Sequence, residues 1–126
     1  MNLNQVTIHS TNVFESMEFY QQLGLKLIVD SAPRYVRFEC PDGNATFSIH
    51  ETTEIPHNNS VTIYFECQNL DAKVAELKER GIKFESEPID QSWLWREAYL
   101  RDPDGNQICL FYAGENRLNP PWRVKS

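Results

Sequence analysis

The chain has no apolar run longer than a handful of residues, which excludes a membrane-spanning helix. Basic residues are scarce: 12 Lys and Arg stand against 18 Asp and Glu, a net charge of −6. That is too few to assemble a basic face for nucleic acid. Cysteine is sparse and odd in number. Cys40, Cys67 and Cys109 lie far apart with no Cys-x-x-Cys, which argues against a disulfide frame or a zinc site and fits reduced thiols in a cytoplasmic protein. The opening Met1-Asn2-Leu3-Asn4-Gln5 has neither the basic region nor the apolar core of a signal peptide. What is present is ordinary for one globular domain: 126 residues, 40% hydrophobic and 24% charged.

The most informative stretch is Asp102-Pro103-Asp104-Gly105-Asn106, a tight turn, followed by Gln107 to Phe111, which reads as a buried strand. The phrase has an earlier copy in Cys40-Pro41-Asp42-Gly43-Asn44 before Ala45 to Ile49, and two copies in so short a chain point to an internal repeat. Gln5 to His9 alternates polar and apolar residues as a half-buried strand does. Asn12 with Glu15 makes a capping box, Val13, Met17, Tyr20 and Leu23 form one helical stripe, and Gly24 closes the helix. Strands are predicted over 25–30, 35–40 and 45–51. Residues 54–59, with Pro56 and His57, read as a linker.

The second half repeats the order. Val61 to Glu66 is a strand, Asn69 caps a helix bearing Leu70, Val74 and Leu77, and Gly81 ends it. Strands are predicted over 82–85, 94–101 and 107–112. Asn12 to Asn69 and Gly24 to Gly81 are both 57 positions apart, so cap, helix length and stop coincide. The fold class that follows is α+β: two tandem β-α-β-β-β modules, about 1–53 and 60–113, with a tail over 114–126.

A single helix covers one face of each small sheet, so two modules pairing their sheets are expected to leave a curved groove lined by the uncovered faces. Strand parity assigns its lining to Gln5, Thr7 and His9, to Thr62, Tyr64 and Glu66, to Ser48 and His50, and to Gln107, Cys109 and Phe111.

Three features carry a family resemblance: Phe19-Tyr20-Gln21-Gln22-Leu23-Gly24, the opening strand, and Asp102-Pro103-Asp104-Gly105-Asn106 before the last strand. On these residues the chain resembles the vicinal oxygen chelate superfamily, which includes glyoxalase I, extradiol dioxygenases and bleomycin-resistance proteins. The resemblance implies the paired-module fold and, in members that use metal, one ligand from each of four groove strands. Those positions fall here on Gln5, Ser48 (or Phe47 if the register slips), Thr62 and Cys109. Only Gln5 is a usual ligand of the family, and a carboxylate is expected where Cys109 stands. The usual metal site is therefore expected to be absent, and no cofactor is predicted; a divalent metal is the alternative. His9, His50 and Glu66 have the right chemistry for a displaced site, but read better as hydrogen-bonded or solvated residues near strand ends.

Trp93 and Trp95 share a phase and face two readings, stacking on a flat ligand or packing in the core and a dimer contact. Arg96 and Glu97 read as a pair with each other or with a partner subunit. Trp122, behind the stiff Pro120-Pro121, calls for burial, either as a lid or against a second copy. The expected function is metal-free binding of a small, partly apolar or aromatic molecule, in the manner of bleomycin-resistance proteins, by a cytoplasmic homodimer. The alternative is a metal-dependent lyase or isomerase of the glyoxalase I type, or a related dioxygenase.

Overall fold

The computed structural model describes residues 1–55 and 61–124, so His57 and most of the expected linker lie outside the described residues. Two compact units emerge: Met1–Asn59 together with Asp102–Gly105, and Ser60–Arg101 with Asn106–Ser126.

In the first unit, β1 (Gln5–Ser10) leads into α1 (Val13–Leu23), followed by β2 (Lys26–Ser31), β3 (Tyr35–Glu39) and β4 (Thr46–Glu51). The sheet order is β1-β4-β3-β2, with β1 parallel to β4 and the other pairs antiparallel. The side-chain oxygen of Asn12 accepts from the N–H of Glu15, and Gly24 closes the helix at φ 108°, a left-handed conformation that favours glycine. Only half of the capping box forms: the Asn12 N–H is taken by the Ser10 hydroxyl at 3.0 Å, not by Glu15. Tyr20, on the inner stripe of α1, meets Phe47 of β4 at 4.5 Å and Phe38 of β3 at 6.3 Å between ring centroids. All three rings are fully buried, each of the two Phe worth roughly 1.5–3 kcal/mol of burial.

The second unit repeats the plan: β5 (Thr62–Glu66), α2 (Leu70–Glu79), β6 (Ile89–Asp90), β7 (Arg96–Arg101) and β8 (Gln107–Tyr112). Its sheet order, β5-β8-β7-β6, mirrors that of the first. Asn69 caps through Ala72 N–H, and Leu70, Val74 and Leu77 are buried. The fold is α+β with two β-α-β-β-β modules, as the repeat implied.

The structure corrects two strand expectations. Residues 82–85 form no strand. Ile82 is buried, while the N–H groups of Glu85 and Ser86 both approach the carbonyl of Tyr99, and pairing with β7 begins only at Ile89. The strand expected from Leu94 starts at Arg96, because Leu94 sits at φ 69° in a turn closed by its N–H to the Gln91 carbonyl.

Candidate functional site

Each sheet has a helix-covered face and an open one, and the register decides which side chains belong to which. Phe47 packs on Tyr20, so Thr46, Ser48 and His50 stand on the open face of the first sheet with their partners Gln5, Thr7 and His9. Ser48, not Phe47, is the open-face residue. Tyr35, Arg37 and Glu39 of β3 complete this face.

Its polar groups are mutually engaged. Thr46 Oγ1 donates to Gln5 Oε1 at 2.8 Å, and the Thr7 and Ser48 hydroxyls lie 2.8 Å apart. Arg37 Nε donates to the Tyr35 hydroxyl at 2.8 Å, and His50 stacks obliquely on the Tyr35 ring at 4.7 Å. Burial tends to raise the Tyr35 phenol, but the hydrogen bonds with Ser48 and Arg37 and the guanidinium charge prevail and hold it below its ordinary value. His9 and His50 are exposed, with ring centroids 6.2 Å apart.

In the second sheet, Arg96 pairs through Nε with Asp71 of α2 at 2.9 Å, which places Arg96, Ala98 and Leu100 on the helix face. Strand alternation then puts Glu97, Tyr99 and Arg101 on the open face, beside Gln107, Cys109 and Phe111 of β8 and Thr62, Tyr64 and Glu66 of β5. Arg96 and Glu97 are therefore not a pair: they point to opposite sides of the sheet.

The centre of this face is aromatic. The Trp95 and Phe111 rings stack at 4.4 Å with an interplanar angle of 14°, and the Tyr64 ring meets both edge-on, at 6.0 and 5.7 Å. Such contacts contribute about 0.5–1.5 kcal/mol each beyond burial. Tyr64 is 49% exposed and Trp93 44%, so aromatic surface remains available. Beneath it lies Glu97, only 2% exposed, whose Oε2 accepts from the Trp93 indole N–H and whose Oε1 accepts from the Tyr99 hydroxyl, both at 3.0 Å. Cys109 is fully buried among them. Burial first, then the charge of Glu97, pushes its thiol up to about 12.

Glu97 and Tyr99 are the groups that reading the sequence missed. The signal was present, since residues two apart on a strand share a face and Glu97 follows Trp95 by two. Two further expected site residues are committed to local structure. Thr62 Oγ1 donates to Gln107 Oε1 at 2.8 Å. Glu66 Oε2 accepts from the N–H groups of Ala113 and Gly114, both at 2.9 Å, with Arg117 at 3.7 Å from its other oxygen. Trp122 is 56% exposed on the single chain, beyond a short 3-10 turn over Gly114–Asn116.

The model for the Glyoxalase/Bleomycin resistance protein/Dioxygenase superfamily matches residues 2–110. The chain belongs to that superfamily. Among its curated relatives, the trivalent organoarsenical cleaving enzyme of Bacillus sp. (strain MD1) is 26% identical over 96% of this chain and 81% of the relative. A glyoxalase/bleomycin resistance protein/dioxygenase from Nocardioides has a TM-score of 0.80 at 22% identity, over 99% of this chain and 90% of that one. Lactoylglutathione lyase from Agrobacterium tumefaciens has a TM-score of 0.72 at 16% identity, over 88% and 92%. At these identities the two structures establish the fold.

The superfamily's metal-ligand positions can now be judged on this chain's chemistry. Gln5 offers an amide oxygen already bound to Thr46, while Ser48 and Thr62 offer neutral hydroxyls engaged with neighbours in their own units. Cys109 offers a single thiol, fully buried. A tightly held divalent ion takes several carboxylate, imidazole or thiolate ligands, so a set of one amide, two hydroxyls and one buried thiol does not fit one. Among the described residues, no group of three or more His, Cys, Asp or Glu is placed to hold a metal ion.

Proposed function

We propose that this protein binds a small, partly apolar or aromatic molecule on the open sheet surface, without the superfamily's usual metal. The Trp95–Phe111 stack with Tyr64 edge-on to both carries this reading. It is a rigid, partly exposed platform of flat rings, with the Trp93 indole anchored next to it by Glu97. A flat ligand gains stacking energy there without ordering flexible side chains. Cys40, Cys67 and Cys109 form no disulfide with one another, which supports a reducing, cytoplasmic setting. The exposed Leu118, Trp122 and Val124 of the tail support a homodimer.

Titration with a neutral aromatic quencher such as p-nitroanisole tests the binding reading. Saturable quenching of tryptophan fluorescence, lost in Trp95→Ala, is expected. Absence of saturation up to about 1 mM, the weak end of specific affinities, overturns it.

The second reading is an enzyme: a metal-dependent lyase or isomerase of the glyoxalase I type, or a related dioxygenase. Gln5 at the first ligand position favours it. So does the likeness to a relative described as cleaving trivalent organoarsenicals. Ser48, Thr62 and Cys109 weigh against it by donor chemistry.

A further inference from the structure

Charge on the second unit is distributed in a telling way. Five of its surface carboxylates have cationic partners: Asp71 and Asp90 share Arg96, Glu85 meets Arg101, Glu76 meets Lys73 and Arg80, and Glu87 meets Lys78. These are exposed pairs, each of small energetic consequence. Glu97 is the reverse case. It is the most buried carboxylate among the described residues, and no Lys, Arg or His lies against it there. Its two partners, an indole N–H and a phenol, are neutral donors. A buried charge ordinarily has a counter-charge, because hydrogen bonds alone leave its field uncompensated.

The groups around Glu97 add no positive charge. Cys109 and Tyr99 cannot serve as counter-charge, because a thiol and a phenol carry no positive charge in either protonation state. What stands over the carboxylate is π surface: Trp93 in direct contact, then Trp95, Phe111 and Tyr64. Ring faces attract cations through their quadrupoles, and several rings around one negative charge form the arrangement that recognises alkylammonium groups. The turn that presents the two tryptophans passes through Leu94 at φ 69°, a strained conformation for a side-chain-bearing residue, and such strain concentrates at ligand-contacting loops.

We propose that the open face of β7 and β8 is a subsite for an organic cation, with Glu97 as counter-charge and Trp93, Trp95 and Tyr64 as its π walls, backed by the buried Phe111 ring. This rests on the small-molecule reading above and names the chemical class of the ligand: an ammonium or guanidinium group joined to an apolar or aromatic body. The carboxylate sets the sign of the charge accepted, and the rings set the preference for a poorly hydrated cation over an inorganic one.

Two isosteric probes separate this inference from the reading beneath it. Phenyltrimethylammonium and tert-butylbenzene have nearly the same shape and differ in one charge. Their binding to the full chain is followed by tryptophan fluorescence and by the NMR shift of the Trp93 indole N–H. The cation is expected to bind about 10-fold more tightly than its neutral twin. That preference should vanish in Glu97→Gln, whose amide oxygen still accepts from Trp93 and whose amide N–H can donate to the Tyr99 hydroxyl, while tert-butylbenzene binding persists. Tyr64→Leu, at a half-exposed position that spares the core, should lower affinity for the cation several-fold. Equal saturable binding of both probes to the unmodified protein overturns the cation inference and leaves the aromatic platform standing. Failure of both probes to bind overturns the two together.

Discussion

The hydroxyl of Tyr20 donates a 2.6 Å hydrogen bond to Oδ2 of Asp102, 82 residues further along the chain. The turn that carries Asp102 is grouped with the first unit, where Asp104 completes the attachment. Its Oδ1 accepts from the backbone N–H and hydroxyl of Thr11, and its Oδ2 from the Ser16 hydroxyl at 2.8 Å. The Asp-Pro-Asp-Gly turn thus does more than reverse the chain. Its two carboxylates satisfy the buried polar groups of α1.

Tyr20→Phe should therefore destabilise the protein by roughly 1.5–3 kcal/mol, the range for a buried hydrogen bond to a charged partner. Urea denaturation followed by circular dichroism measures it. An unchanged midpoint means that the bond makes no net contribution.

Alkaline pH should act on the same residue. Burial first, then the charge of Asp102, raises the Tyr20 phenol far above its ordinary value, and Tyr64 and Tyr99 are also raised, mainly by burial. The Cys40 and Cys109 thiols shift the same way. A group raised in the folded state contributes fully below its unfolded value, and loses that contribution as the unfolded chain ionises above it. Stability should hold from pH 7 to about 9, then fall, first through the thiols and above about 10 through the tyrosines. The fall should be shallower in Tyr20→Phe. Denaturation midpoints across that range provide the check, and an equally steep fall in both proteins would contradict the assignment.

Cys109 should be the slowest of the three cysteines to alkylate. The thiolate is the reactive form, and this thiol is both fully buried and raised to about 12. Iodoacetamide labelling at pH 8, read by peptide mass spectrometry, should modify Cys40 and Cys67 before Cys109. Early labelling of Cys109 would contradict this, because it requires a thiol that is both more open and more acidic.

Much of the fold was legible because repeated local signals leave few alternatives. Asn12 and Asn69 both cap helices, Gly24 and Gly81 both adopt positive φ just beyond them, and the apolar phases of β4 and β8 turn Phe47 and Ile108 inward. Ser16 was not legible. A serine on an apolar stripe looks solvent-facing until Asp104 and Ser10 are brought to it from elsewhere in the chain. The strand expected over 82–85 failed because one buried apolar residue, Ile82, carries too little periodicity to separate a strand from a loop. In the candidate site, parity located Cys109 and Phe111 on one face, whereas Trp95 was marked only by the phase it shares with Trp93. Glu97 was obscured by charge: next to Arg96 it looks like half of an ion pair, whereas consecutive strand residues face opposite ways.

Metal content separates metal-free ligand binding from the lyase reading. The purified protein, loaded with Ni²⁺ or Zn²⁺ and then desalted, is assayed for bound metal and for glyoxalase turnover. Well under one equivalent of metal and no turnover are expected, because Gln5, Ser48 and Thr62 offer only neutral oxygens already hydrogen-bonded within their own units and Cys109 is a single, fully buried thiol. One tightly held equivalent, with turnover abolished by Gln5→Ala, would contradict metal-free binding.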